Sequence, residues 1–121
     1  DKQREKANEV KSVQVIGEVK GKDVIIIDDL IDTGGTISMA SKVLMEKGAK
    51  SVRALITHPI LSGNADENIT NSALKELVVT DTIPLKFRNK KIKVLSIAGL
   101  FAKAIRKIHE NESTSSLFIN R

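Results

Sequence analysis

The sequence contains no Cys, Trp or Tyr, and its only aromatic residues are three Phe among 121 residues. Without cysteine the chain can form neither a disulfide framework nor a thiolate zinc site, and it offers no cysteine nucleophile. The longest unbroken apolar run, residues 24–27, is far too short to cross a membrane. Residues 1–11 are rich in charge and contain no apolar segment typical of a signal peptide. We therefore expect a cytoplasmic protein that has no membrane partner.

The excess of positive charge is modest, with 20 Lys and Arg against 15 Asp and Glu and a net charge of +5. One local concentration of basic residues surrounds Phe87, and its members are Lys86, Arg88, Lys90, Lys91 and Lys93. A single aromatic side chain gives nucleic-acid bases little to stack on, so we expect no nucleic-acid partner and interpret this segment as a solvated loop. Positive charge suits small phosphorylated ligands equally well.

The hydrophobic residues, 40% of the sequence, are enough to form one core, and the length suits one domain. The chain opens on Asp1, however, without an initiator Met and without a leading strand. Residues 1–11 show no periodicity and are predicted to form a mobile loop. We expect residues 1–121 to be a single, incomplete domain that belongs to a longer protein.

Short apolar runs alternate with helical patterns along the chain. The runs predict strands over residues 12–16, 23–28, 51–57, 77–80 and 93–97, and the second of these is apolar on both faces, as is typical of a central parallel strand. Helices are predicted after Gly35 with a stop at Gly48, around residues 65–75, and where Phe101, Ala104, Ile105 and Ile108 follow the spacing i, i+3, i+4, i+7. This alternation predicts an α/β fold with a doubly wound, mainly parallel sheet.

The segment Asp-Asp-Leu-Ile-Asp-Thr-Gly-Gly-Thr, residues 28–36, follows the most apolar strand and begins a helix. Ligands of open α/β sheets bind at the carboxyl ends of strands, and a helix N-terminus favours an anion. Gly34 and Gly35 allow a close backbone approach and positive φ angles, and Thr33 and Thr36 add hydroxyl donors. The segment therefore predicts a phosphate site, and removing the threonines should weaken phosphate binding without unfolding the domain.

Three carboxylates, Asp28, Asp29 and Asp32, stand beside this predicted phosphate site. Carboxylates repel an anion unless a cation or hydroxyl donors lie between them. A sugar phosphate with bound Mg²⁺ supplies both, so we expect Asp28 and Asp29 to meet sugar hydroxyls or a hydrated metal. The plainer alternative is a strand end with helix-capping carboxylates and a glycine turn.

The chain contains neither G-x-x-x-x-G-K-[ST] nor G-x-G-x-x-G, the two commoner phosphate motifs. Residues 28–36 instead resemble the phosphoribosyl-diphosphate loop of type I phosphoribosyltransferases. Further segments resemble one family of that superfamily, ribose-phosphate diphosphokinase (phosphoribosyl diphosphate synthetase); they are residues 1–4, 57–59, 61–65, 79–84 and 104–118. The resemblance covers nearly the whole chain but only the C-terminal part of the family chain. It implies the type I phosphoribosyltransferase fold without its opening strand, and an upstream ATP-contacting domain that this chain lacks.

The resemblance implies transfer of the diphosphoryl group from Mg-ATP to the C1 hydroxyl of ribose 5-phosphate. Residues 32–36 match the positions that hold the 5-phosphate, and Asp28 and Asp29 match those that meet the ribose hydroxyls near Mg²⁺. Lys2 and Arg4 match the basic residues of a flexible catalytic loop, here residues 1–11, in which many relatives carry Arg where this chain has Gln3. The family typically forms hexamers, so the resemblance also implies a homo-oligomer.

Two serines near the end of the chain, Ser113 and Ser115, match positions that contact a regulatory phosphate in family members controlled by phosphate and ADP. A polar turn that ends the last helix is the alternative interpretation. His58 and His109 are interpreted as a strand-end residue and a helix-surface residue.

Two other functions remain open from the sequence. A nucleobase phosphoribosyltransferase would consume the same sugar diphosphate, although no segment suggests a hood that recognises a base. A synthetase-associated regulatory subunit would retain the fold without catalysis. Because part of the ATP site would come from upstream, we expect residues 1–121 alone to bind sugar phosphate weakly and to turn over little or nothing.

Overall fold

The computed structural model describes residues 15–118. Its strands are β1 (Asp23–Ile31), β2 (Ser51–Pro59), β3 (Glu76–Thr80) and β4 (Ile92–Leu95). Its helices are α1 (Gly35–Glu46), α2 (Ala65–Asn71) and α3 (Ala98–His109), followed by a short 3₁₀ turn at Ser115–Leu117. None of the helices in residues 15–118 combines the length and apolar character needed to cross a membrane.

The four strands form one sheet in the order β1-β2-β3-β4, and all neighbouring pairs are parallel. This confirms the predicted α/β class and its parallel sheet. Crossovers between parallel strands are right-handed, so connections that always step in the same direction lie on the same face of the sheet. In agreement, α1, α2 and the segment between β3 and β4 all contribute to one core.

The core fills the space between that sheet face and its covering segments. Val52, Ala54 and Leu77 from the sheet are fully buried, and Ile69 of α2 is buried against them. The one buried polar residue of the described core is Ser41 in α1. Its hydroxyl donates to the carbonyl of Ser38 over 2.7 Å and accepts from the N–H of Ala73 over 3.1 Å. The hydroxyl is therefore satisfied, and it ties α1 to the chain that follows α2.

The other face of the sheet is open within the described residues. Strand register and the alternation of side chains place Ile25, Ile27, Leu55 and Leu95 on this face, and all four are exposed. Ile27 retains 78% of its side-chain exposure. The last helix, α3, contributes no buried residue either. Its apolar stripe, Phe101, Ile105 and Ile108, is exposed although the predicted helical spacing is correct.

Several element bounds differ from the sequence prediction. Strand β1 continues three residues past the predicted end at Asp28, because its ladder with β2 extends to Pro59. It also lies at the edge of the described sheet rather than in its centre. The strand predicted over residues 12–16 is wrong for Val15 and Ile16, which lie in irregular structure, and residues 12–14 fall outside the described residues. The predicted stop at Gly48 is confirmed by its φ of 95°.

Candidate functional site

A cavity of about 470 Å³ lies at the carboxyl end of β1, where the chain turns into α1. Its walls include all the residues predicted to bind a sugar phosphate, namely Asp28, Asp29, Asp32, Thr33, Gly34, Gly35 and Thr36. The apolar side chains of Ile26, Ile37 and Ile56 close its inner end. The fold thus brings together the whole segment that the sequence singled out, at the sheet edge where α/β proteins bind ligands.

Gly34 makes the turn from β1 into α1 sharp. It has φ 79° and ψ 2°, in the left-handed region where only glycine is unstrained, and it is the N-cap of α1. The hydroxyl of Thr33 accepts a long hydrogen bond of 3.4 Å from the N–H of Gly35. This conformation explains why the motif needs glycine at its first Gly position.

The N-terminus of α1 carries donors that no side chain satisfies. No side chain caps the helix, and its first turn contains no acidic residue. Within residues 15–118 the N–H groups of Gly34, Thr36 and Ile37 have no hydrogen-bond acceptor. Such groups, together with the positive end of the helix dipole, favour an anion in the cavity.

Asp28 and Asp29 lie exposed near the end of β1. The carboxylate of Asp28 accepts the N–H of Asp29 over 2.8 Å, and neither side chain forms an ion pair among the described residues. Their remaining oxygens are available to sugar hydroxyls or to a hydrated cation. Residues 15–118 contain no group of three or more His, Asp or Glu side chains placed to hold a metal ion. Mg²⁺ in proteins is commonly bound by one or two carboxylates and completes its coordination with waters and substrate phosphates. Asp28 and Asp29 suit that kind of site, and they are too few to enclose the ion with protein ligands alone.

Ser62, which precedes α2, and Asn68, which lies in α2, both form hydrogen bonds to the turn at residues 32–36, which we call the phosphate turn. The hydroxyl of Ser62 donates a short hydrogen bond to the carboxylate of Asp32, and the Ser62 N–H donates to the Asp32 carbonyl over 3.1 Å. The side-chain amide of Asn68 in α2 donates to the carbonyl of Thr33 over 2.8 Å. These roles of Ser62 and Asn68 are not predictable from the sequence, because the contacts join residues that lie far apart along the chain.

Of the other predicted site residues, Ser113 and Ser115 are described by the structure and do not line the cavity. Lys2 and Arg4 lie outside the described residues, so their placement stays a prediction. Ser113 and Ser115 lie at the turn after α3, where their hydroxyls are 2.9 Å apart and the N–H of Ser115 donates to Ser113 Oγ. Both serines are exposed, and they lie apart from the residues that line the cavity.

The carboxyl ends of β2 and β3 carry a separate polar network. Nδ1 of His58 is 2.9 Å from the Thr82 hydroxyl, and the Thr80 hydroxyl donates to the carbonyl of Thr57. Nearby, the pKa of Asp81 is lowered, chiefly because its carboxylate accepts the N–H of Ile97 at the start of α3. These contacts hold strand ends together, in keeping with the interpretation of His58 as a strand-end residue.

The sheet, the glycine turn and the uncapped helix N-terminus define a parallel α/β domain with a cavity at the carboxyl end of β1. Residues 3–119 match the model of the phosphoribosyl synthetase-associated domain, and the chain belongs to that family. It is 57% identical over 119 residues to a ribose-phosphate pyrophosphokinase of Wolinella succinogenes, and 58% identical to one of Campylobacter jejuni. In both comparisons the match covers 98% of this chain and 38% of the relative.

A solved structure agrees with these sequence matches. The crystal structure of phosphoribosylpyrophosphate synthetase from Mycobacterium smegmatis matches 85% of this chain with a TM-score of 0.79 and 44% sequence identity. The match covers 35% of that chain. This chain therefore spans little more than a third of the length of its relatives.

Proposed function

We propose that the full-length product of the gene encoding this chain is a ribose-phosphate diphosphokinase. It transfers the diphosphoryl group of Mg-ATP to the C1 hydroxyl of ribose 5-phosphate and so forms 5-phosphoribosyl 1-diphosphate and AMP for nucleotide biosynthesis. The observation that carries the proposal is the single cavity that combines the phosphate turn with the paired carboxylates of β1. The names of the relatives support the reaction.

The phosphate turn holds the 5-phosphate of the sugar. The N–H groups of Gly34 and Thr36 and the hydroxyls of Thr33 and Thr36 donate to its oxygens, and the helix dipole adds a favourable field. Asp32 remains bonded to Ser62, so its charge is partly satisfied before the ligand arrives.

Asp28 and Asp29 fix the ribose ring. Ionised carboxylates only accept hydrogen bonds, so they bind the sugar hydroxyls directly or through the water shell of Mg²⁺. Mg²⁺, when bound, neutralises charge on the transferring phosphates. The C1 oxygen then forms a bond to the β-phosphorus of ATP, the bond from that phosphorus to the α–β bridging oxygen breaks, and the hydroxyl proton is released.

The remaining expectations belong to the same proposal. Lys2 and Arg4 close over the ATP phosphates as mobile cations and stabilise the charge that develops during transfer. Ser113 and Ser115 bind a regulatory phosphate through their adjacent hydroxyls. The enzyme works in the cytoplasm as a homo-oligomer, a hexamer by resemblance to its family.

The test supplies the purified full-length product with two substrate pairs. ATP with ribose 5-phosphate should give AMP and phosphoribosyl diphosphate in equal amounts, whereas phosphoribosyl diphosphate with a purine should give nothing. The opposite result identifies a nucleobase phosphoribosyltransferase, and no turnover with either pair identifies a regulatory subunit. Replacing both carboxylates, Asp28→Asn with Asp29→Asn, should lower kcat/KM at least about 100-fold, while Glu46→Gln, a matched exposed acid at the far end of α1, should leave it unchanged.

A further inference from the structure

The side chain of Asn68, in α2, forms a hydrogen bond with the turn between β1 and α1. Its Nδ2 donates to the main-chain carbonyl of Thr33 over 2.8 Å. If α1 began one residue earlier, this carbonyl would accept the N–H of Ile37. The left-handed Gly34 turns the carbonyl away from the helix axis, and Asn68 satisfies it instead.

Fixing that carbonyl also fixes a donor of the phosphate site. The Thr33 carbonyl and the Gly34 N–H belong to one peptide unit, which is planar and trans, and no cis peptide occurs in the described residues. In a trans unit the two groups point in opposite directions. Because Asn68 binds the carbonyl on the α2 side, the N–H of Gly34 must point away from α2, and that N–H has no acceptor within residues 15–118.

Close packing reinforces this hydrogen bond. A Cβ placed on Gly34 would lie 3.2 Å from Cδ1 of Ile69 and 3.7 Å from Cβ of Asn68. Ile69 is fully buried, so it has little room to move away from Gly34. Together with Ser62, these residues approach three consecutive positions, Asp32, Thr33 and Gly34, and none of them lines the cavity.

We propose that Asn68 is a positioning residue of the sugar-phosphate site, with Ile69 as the packing surface behind it. It does not touch the ligand; it holds the 33–34 peptide so that the Gly34 N–H is directed to the 5-phosphate before the ligand binds. The inference rests on the proposed function for the identity of the ligand. Affinity for the phosphate group then depends on α2, although α2 contributes no lining residue to the cavity.

The test compares Asn68→Asp with Asn71→Asp in the full-length product. Both changes place the same charge on α2, but Asn71 is exposed and its side chain makes no hydrogen bond among the described residues. Asn68→Asp keeps the shape of the side chain and removes its donor. It should raise KM for ribose 5-phosphate about 10-fold and leave KM for ATP nearly unchanged. Asn68→Ala, which adds no charge, should raise KM for ribose 5-phosphate about 3-fold.

Binding of inorganic phosphate separates this inference from the proposed function. In the unmodified protein, phosphate should shift the amide NMR resonance of Gly34, and Asn68→Asp should weaken that binding about 10-fold relative to Asn71→Asp. Phosphate binding with this pattern but without product formation retains the inference and overturns the proposed enzyme. Normal turnover with equal KM values in the two variants overturns the inference and retains the enzyme.

Discussion

Both faces of the sheet carry apolar side chains, but the described residues cover only one of the two faces. On the face beneath α1 and α2, Val52 and Leu77 are inaccessible to solvent, whereas Ile25 and Ile27 on the opposite face are mostly exposed. Topology produces the difference, since every connection between described strands lies on the first face. The apolar pattern of a strand therefore indicates which of its faces can be buried. The order of the strands in the sheet decides which face is covered by the segments that connect them.

The largest effect should come from truncating the covered face. Leu77→Ala removes a fully buried side chain and should lower the free energy of unfolding of the 121-residue chain by about 2–5 kcal/mol. Ile27→Ala on the open face should lower it by no more than about 0.5 kcal/mol. Urea titration followed by circular dichroism measures both changes. Equal losses for the two variants would show that the open face is buried in solution.

Gly34 and Gly99, at the N-termini of α1 and α3, differ in the space that each leaves for an added methyl group. Gly34 has a positive φ and faces Ile69, so Gly34→Ala should cost about 1–3 kcal/mol of stability and weaken phosphate binding as well. Gly99 lies in α3 with nothing within 4 Å of the added methyl group, so Gly99→Ala should stabilise the chain by about 0.5–1 kcal/mol. The melting temperatures of the two variants test both predictions. A lower melting temperature for Gly99→Ala would mean that α3 packs more tightly than its exposure indicates.

The smallest effect concerns acid stability at the start of α3. The pKa of Asp81 is lowered from 3.8, mainly by the N–H of Ile97, so the ionised form favours the folded state. That contribution is fully present above pH 3.8 and is lost as the pH falls through the lower folded-state pKa. Asp81→Asn should therefore lower the urea midpoint at pH 6, and the difference from the unmodified chain should shrink as the pH falls through the folded-state pKa of Asp81. Glu67→Gln, an exposed acid of α2, serves as the control, and a constant difference at all pH values would contradict the prediction.

Much of the site could be predicted from the sequence because its residues are contiguous. The order of carboxylates, glycines and threonines from Asp28 to Thr36 indicates a turn and a helix start without any distant contact, whereas the end of β1 at Ile31 depends on its ladder with β2. Ser62 and Asn68 could not be predicted, since their roles depend on contacts between separate elements. Hydrophobic periodicity likewise predicted α3 correctly, but its exposed stripe follows from packing, which periodicity does not contain.

The carboxylates of β1 have a second consequence for the behaviour of the chain. An edge strand presents unpaired backbone groups that can recruit a strand from another molecule, and inward or terminal charges on that edge discourage such recruitment. Within residues 15–118, β1 is an edge of the sheet, Asp28 and Asp29 place two negative charges near its end, and Asp28 also occupies the N–H of Asp29. The carboxylates proposed to bind the sugar are therefore also the kind of charge that disfavours pairing of this edge with a strand of another molecule.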